Sequence, residues 1–226
     1  MLLSKCMTFH GNIIFPEGAG GNHLRWLLFL DPLYQDPFNN HNNPKDKVQF
    51  ISKRVYTTDR TWNTWLQREW RHRPTLDSQM NIGHNFNNWA ELVDQPTLFV
   101  LFQDYELPLQ HYFHMNLSLN SNTPAQMKEK FMNSHRMIQA IQKEDCKKFG
   151  FINGDSVFDP VLDPVFYQQL VEFFGFENLY EYAVQVHQAY YNCRVRSAQD
   201  FCEYFTSAEF HSYLDQLQKL SIKKQP

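Results

Sequence analysis

The chain has 226 residues, of which 42% are hydrophobic and 20% are charged, and its formal net charge is -3. This composition excludes an intrinsically disordered chain, and the length suits one large globular domain or two small ones. A net charge so close to zero provides no overall field for a polyanion, so we expect no nucleic-acid polymer among the partners.

The first predicted elements are a strand, a glycine-rich turn and a helix. The apolar run at 12–15 stops at Pro16, as a buried strand would. The helix is expected from His23 to about Leu30, with Asn22 as its N-terminal cap and Asp31-Pro32 limiting its length. Between the strand and the helix lie three glycines, Gly18, Gly20 and Gly21.

Two more strands and a series of helices are predicted further along. Thr97 to Phe102 is an unbroken apolar run, typical of a central parallel strand, and Met80 to His84 predicts a shorter strand. The prolines and asparagines of residues 31–47 predict a loop, and Arg54 to His72 has the pattern of an amphipathic helix. The C-terminal helices are predicted at 107–118, 124–148, 164–174, 177–193 and 197–220.

Strands separated by helices indicate an α/β fold with a parallel sheet and crossover connections. We therefore predict a single domain over residues 1–226, with a P-loop-type strand–loop–helix and a helical C-terminal third. The helices at about 124–220 are expected to pack on the sheet.

Cysteine usage and hydropathy suggest the compartment. The four cysteines are scattered without a Cys-x-x-Cys pair, which fits neither a disulfide scaffold nor a zinc knuckle. No N-terminal signal peptide is visible, and the longest apolar stretch, Leu24 to Leu30, is too short to span a bilayer. We expect reduced thiols, a cytoplasmic location and no membrane partner.

The order of strand, glycine-rich turn and helix at 12–30 is typical of phosphate- or sulfate-binding sites. Glycines let backbone N–H groups turn inward, and the helix N-terminus adds a partial positive charge. Glycine clusters also occur in ordinary turns, which is the alternative here. The Walker spacing with its Gly-Lys-Ser/Thr ending is absent, so an ordinary ATPase is disfavoured.

Three segments resemble motifs of the P-loop sulfotransferase superfamily, in that family's order and over about residues 10–115. Residues 15–24 (Phe-Pro-Glu-Gly-Ala-Gly-Gly-Asn-His-Leu) resemble its opening loop, with Gly20 in the place of the family glycine. Residues 81–84 (Asn-Ile-Gly-His) resemble the segment that supplies the catalytic base. Residues 98–104 (Leu-Phe-Val-Leu-Phe-Gln-Asp) are similar to the strand that ends at the 3′-phosphate site.

The resemblance implies a donor of the 3′-phosphoadenosine 5′-phosphosulfate type, no metal, and a small-molecule or glycan acceptor. It implies His84 as the base, and Gln103 with His111 at the 3′-phosphate, where the family has arginine and serine. The family lysine of the loop is missing, and Arg25 is the candidate to replace it. The remaining donor contacts implied are Gly18, Ala19, Gly20, Gly21, Asn22 and His23.

Each of these side chains also has a plain structural explanation. His84 could lie on an exposed loop, His23 could cap a helix or face solvent, and Arg25 could form a surface ion pair. His111 and His114 are spaced as a metal pair, but no third ligand is evident, so we expect no metal. His187 with Tyr190 and Tyr191 is interpreted as packing.

Three functions remain open from the sequence. The first is sulfuryl transfer to a hydroxyl or an amine. The second is a non-catalytic binding protein on the same scaffold, which the missing lysine and Gln103 favour. The third is a kinase or phosphatase with an atypical loop, which dependence on a metal would distinguish from the first.

Overall fold

The computed structural model describes residues 9–16, 19–35, 43–56, 79–84, 94–104, 106–117, 124–143 and 146–196. The candidate residue Gly18, the predicted helix at 197–220 and most of the predicted helix from Arg54 to His72 lie outside these residues.

Four strands form one parallel sheet in the order β2-β1-β3-β4. They are β1 (Gly11–Ile14), β2 (Met80–Gly83), β3 (Thr97–Leu101) and β4 (Phe149–Asn153). Ile13 of β1 pairs with Ile82 on one side and with Leu98 on the other, and β3 continues the sheet to β4. The predicted α/β fold with a parallel sheet is confirmed.

Six α-helices lie within the described residues, and two of them continue into wider turns. The helix over Pro164–Phe174 ends at Gly175, whose φ of 70° is the left-handed conformation common at a helix C-terminus. Wider π-turns at Ile51–Val55 and Tyr191–Val195 extend the helices that precede them. The helices are α1 (Gly21–Leu28), α2 (Pro44–Phe50), α3 (Glu106–Leu117), α4 (Pro124–Ile141), α5 (Pro164–Phe174) and α6 (Tyr180–Tyr190), with a 3-10 turn at Asp155–Phe158.

Helices cover both faces of the sheet. On one face, Ile13, Leu98 and Val100 join the main core with side chains of α1, α5 and α6. On the other face, Ile14 and Phe99 pack against Ile138 and Ile141 of α4. Because side chains alternate along a strand, neighbouring residues of β1 and β3 serve the two different layers.

Two of the predicted boundaries are wrong. The helix predicted at 124–148 ends at Ile141, and β4 follows where no strand was expected. Gly150 interrupts the apolar pattern of this segment, and glycine is depleted in strands, so the sequence does not predict β4. A Cβ atom at this glycine would lie 2.4 Å from Cε2 of Phe173, so the bare backbone lets α5 pack closely on the sheet.

The loop predicted at 31–47 is also shorter than expected, because α2 begins at Pro44. Asn43 caps this helix by accepting a hydrogen bond from the N–H of Asp46 at 2.9 Å, and proline occupies the first helical position. Among the described residues, no helix is both long and apolar enough to cross a membrane.

Candidate functional site

The candidate site lies at the carboxyl edge of the sheet, between β1 and β3. The chain leaves β1 toward β2 on one side and later returns to β3 on the other side, so the strand order reverses between these two neighbours. In parallel α/β sheets, ligands bind outside the carboxyl ends of the strands at such a reversal. The glycine loop that follows β1 and the start of α1 lie at this point.

Neighbouring side chains impose two of the glycines of this loop, Gly20 and Gly21. Gly20 has a φ of 76°, and a Cβ atom there would lie 2.7 Å from Cγ1 of Val157 and 2.8 Å from Oη of Tyr190. A Cβ atom at Gly21 would lie 1.7 Å from Cε1 of Phe15. Both positions therefore need glycine for packing alone.

The start of α1 is not capped by a side chain. Gly20 is the N-terminal cap residue, so the prediction that Asn22 caps the helix is wrong. The N–H of Ala19 donates to the carbonyl of Pro16 at 3.1 Å, which closes the turn before the helix. The first amides of a helix have no acceptor within it and lie at the positive end of its dipole, so this end suits an anion.

Arg25 lies one turn into α1 and is completely buried. Its Nη2 atom donates to Oδ1 of Asn22 at 3.1 Å, so the guanidinium folds back toward the start of the helix. The alternative of a surface ion pair is wrong. Burial raises the pKa of Tyr34, and the positive charge of Arg25 acts against that shift. Arg25 is therefore a buried cation whose guanidinium contacts the first turn of α1.

His84 follows β2 and packs against Phe15, the residue after the end of β1. Its ring meets the ring of Phe15 edge to face, with 4.4 Å between centroids, and its Nδ1 lies 3.1 Å from the carbonyl oxygen of Phe15. A carbonyl only accepts, so Nδ1 carries the hydrogen. In the neutral ring, Nε2 then carries the lone pair that a general base needs.

Gln103 and His111 occupy different environments. Gln103 is exposed, and its backbone N–H donates to Oδ1 of Asp155 at 3.0 Å, as does that of Asp104 at 3.3 Å. His111 is buried, with its ring 5.5 Å from that of Phe158. The structure thus places a carboxylate, rather than a cation, at the end of β3.

His23 is also buried, so neither predicted alternative, a helix cap or a solvent-facing side chain, is correct. Its ring stacks on that of Tyr190 with centroids 3.8 Å apart and planes 4° from parallel. Its Nδ1 lies 3.1 Å from Oη of Tyr56, and its Nε2 lies 3.0 Å from Nδ1 of His187. The Nε2 of His187 lies 2.8 Å from the carbonyl oxygen of Asp159.

These contacts fix the direction of every hydrogen bond when both rings are neutral. The carbonyl of Asp159 accepts, so Nε2 of His187 donates and its Nδ1 must accept. Nε2 of His23 therefore donates to His187, and Nδ1 of His23 accepts from the hydroxyl of Tyr56. We call this series, from Tyr56 through His23 and His187 to the carbonyl of Asp159, the histidine chain.

The environment favours the neutral form of both histidines. Burial lowers the pKa of His23 well below its ordinary value, and electrostatic repulsion by His187, Arg194 and His111 lowers it further. Burial also lowers the pKa of His187, against the opposing effects of its hydrogen bond to the Asp159 backbone and of the Asp159 carboxylate. The chain therefore persists as an uncharged polar array within the core.

Three sequence-predicted residues, Gly20, His23 and His111, converge on Tyr190, whose ring lies 6.2 Å from that of His111. Sequence reasoning did not anticipate the role of Tyr190 or His187, which it interpreted as packing. The only signal was histidine and tyrosine recurring on one predicted helix. Among the residues that the structure describes, no three histidine, cysteine, aspartate or glutamate side chains are placed to share a metal ion.

No protein-family model, curated protein or solved structure matches the chain.

Proposed function

We propose that the carboxyl edge of the sheet binds a nucleotide of the 3′-phosphoadenosine 5′-phosphosulfate type and that the protein transfers its sulfuryl group to a hydroxyl or an amine. The observation that carries this proposal is that Phe15 contacts both the start of α1 and the candidate base His84. Its ring packs against Gly21 at the start of α1, and its carbonyl and ring hold His84. The helix start proposed to bind the anion and the candidate base therefore both contact Phe15.

In the proposed reaction, the acceptor oxygen or nitrogen attacks the sulfur atom of the donor. The bond between sulfur and the bridging phosphate oxygen breaks, and adenosine 3′,5′-bisphosphate leaves. The acceptor proton passes to Nε2 of His84. The amides at the start of α1 offset the charge on the sulfuryl oxygens, and the buried guanidinium of Arg25 supplies the positive charge that the missing lysine would have given.

A second candidate function is donor-like binding without catalysis, and Asp155 favours it. Its carboxylate accepts from the amides of Gln103 and Asp104, where the resemblance would place a 3′-phosphate. A second anion there would meet a negative charge, and a glutamine side chain provides no compensating cation. This candidate predicts that the 3′-phosphate contributes nothing to affinity.

Calorimetric titration with adenosine 3′,5′-bisphosphate tests the proposal, with ATP–Mg²⁺ and adenosine 5′-phosphate as comparison ligands. We expect micromolar binding of the bisphosphate and weaker binding of ATP–Mg²⁺. Asp155→Asn should strengthen binding of the bisphosphate and leave that of adenosine 5′-phosphate unchanged, because only the bisphosphate carries a 3′-phosphate. His84→Gln should bind as the wild type does, since a base is not needed for affinity.

The outcomes separate the candidates. Binding of the bisphosphate, together with transfer of labelled sulfate to an acceptor panel that His84→Gln abolishes, supports sulfuryl transfer. Equal binding of the two adenosine phosphates without transfer supports the non-catalytic candidate. Absence of binding by every ligand would refute a nucleotide site at this edge.

A further inference from the structure

The histidine chain joins three separate parts of the fold. His23 lies on α1, His187 lies on α6, and Tyr56 follows the π-turn that ends α2. Each of the three side chains is buried. The chain is therefore a polar connection between helices that otherwise meet through apolar packing.

While both rings are neutral, only one arrangement of hydrogens forms all three hydrogen bonds of the histidine chain. One added proton can be accommodated if Tyr56 turns its hydroxyl to accept from His23, but a positive charge is then buried. Two added protons place an N–H group of His23 against an N–H group of His187 across 3.0 Å. That contact is repulsive, so the fully protonated pair cannot keep the bond between α1 and α6.

The charged groups around the chain add to this effect. Arg194, in the π-turn after α6, lies with its guanidinium carbon 5.8 Å from the centre of the Tyr190 ring. Arg194, together with His111 on α3, exerts positive charge on His23. The opposing charge is that of Asp159, which faces His187 at the far end of the chain. His23 therefore has the guanidinium of Arg194 and the imidazole of His111 on its side, and the carboxylate favours only His187.

We propose that Tyr56, His23 and His187 form an acid-sensitive latch that holds α1 against α6 and opens when its two histidines take up protons. Opening would also free the glycine loop, because Tyr190 stacks on His23 and its hydroxyl lies against Gly20. The latch needs no ligand. Its test is therefore independent of the proposed function, although its effect on the loop would regulate the proposed anion site.

Hydrogen–deuterium exchange of the backbone amides of α1 and α6 measures latch opening. Between about pH 6.5 and the lowered pKa values of the two histidines, each proton taken up on opening raises the open population about tenfold per pH unit. We therefore expect an open population, corrected for intrinsic exchange, that rises about a hundredfold per pH unit in the wild type. His187→Asn keeps an acceptor near His23 but removes one titrating ring, so the rise should fall to about tenfold.

His135→Gln is the matched control, because His135 is buried on α4 and takes no part in the latch. This variant should keep the hundredfold dependence in α1 and α6. Circular dichroism at neutral pH shows whether each variant folds, and the wild-type dependence tests the latch even if His187→Asn does not. A wild-type rise below tenfold per pH unit, or a dependence that His187→Asn leaves unchanged, would overturn the proposal.

Discussion

At the scale of single residues, the glycine loop is shaped by its neighbours as much as by any ligand. Gly20 has a left-handed backbone conformation, and Val157 and Tyr190 occupy the space that a Cβ atom there would need. Gly175, at the end of α5, has nearly the same φ, 70° against 76°, but nothing lies within 4 Å of its missing Cβ atom. The two glycines therefore separate the cost of backbone strain from the cost of crowding.

Gly20→Ala should reduce the free energy of unfolding more than Gly175→Ala does. Both substitutions force a side chain into the left-handed region, which costs about 1–2 kcal/mol. Only Gly20→Ala also pushes a methyl group against Val157 and Tyr190, for which we expect a further 1–3 kcal/mol, about the cost of overpacking a core. Urea denaturation of the two variants measures the difference, and equal losses would show that the loop yields to the added methyl group.

At the scale of secondary-structure elements, a polar ladder links three strands on the face covered by α4. Nδ2 of Asn81 donates to Oδ1 of Asn12 at 3.2 Å, and Nδ2 of Asn12 donates to Oγ1 of Thr97 at 3.1 Å. Asn12 and Thr97 are buried, whereas Asn81 is exposed. Buried polar groups need partners, so this ladder favours the observed strand register over a slipped one.

Thr97→Val should lower the free energy of unfolding by about 1–3 kcal/mol, because it leaves the buried amide of Asn12 without this acceptor. Asn81→Ala breaks the other bond of the ladder, but water can replace a partner at the exposed end. We expect that loss to stay below about 1 kcal/mol. Chemical denaturation of both variants tests the ranking, and a larger loss for Asn81→Ala would contradict it.

The same scale shows how far local sequence patterns reach. The strands β1, β2 and β3 and the helix at 164–174 were predictable, because apolar runs, Asp163 and Pro164 are local signals. The strand β4 is not predictable in this way, because glycine is required at position 150 by close packing against Phe173, which is distant in sequence. The π-turns after α2 and α6 have no comparable local signature in this sequence.

At the scale of the whole molecule, the site depends on contacts between residues that are far apart in the sequence. His23 and His187 are 164 residues apart and yet share a hydrogen bond, and neither flanking sequence indicates the other. The glycine turn predicted the start of α1 as an anion site, but burial of His23 and Arg25 depends on tertiary packing. Residue types were therefore predictable at the site, whereas their partners were not.

The buried histidines and tyrosines together define the pH range in which the fold is stable. Burial lowers the pKa of His23 and His187 below the ordinary 6.5, so the unfolded chain binds more protons as the pH falls through that value. The free energy of unfolding should decrease there, by at most about 1.4 kcal/mol per pH unit for each of these two groups. Burial raises the pKa of Tyr34 and Tyr167 above 10.0, so stability should also decrease above about pH 10, where the unfolded chain loses its phenolic protons first.

Urea denaturation across this range tests both limbs of the expected stability profile. We expect a plateau between about pH 7 and pH 10, a decrease on the acid side that His187→Asn makes shallower, and a decrease on the alkaline side that this variant leaves unchanged. Burial raises the pKa of Asp159 from 3.8. This shift favours the folded state as the pH falls, the opposite of the histidine effect, but it acts under more acidic conditions. A profile that stays flat between about pH 7.5 and pH 5.5 would mean that the two rings take up protons as readily in the folded protein as in the unfolded chain, and the neutral histidine chain would then be wrong.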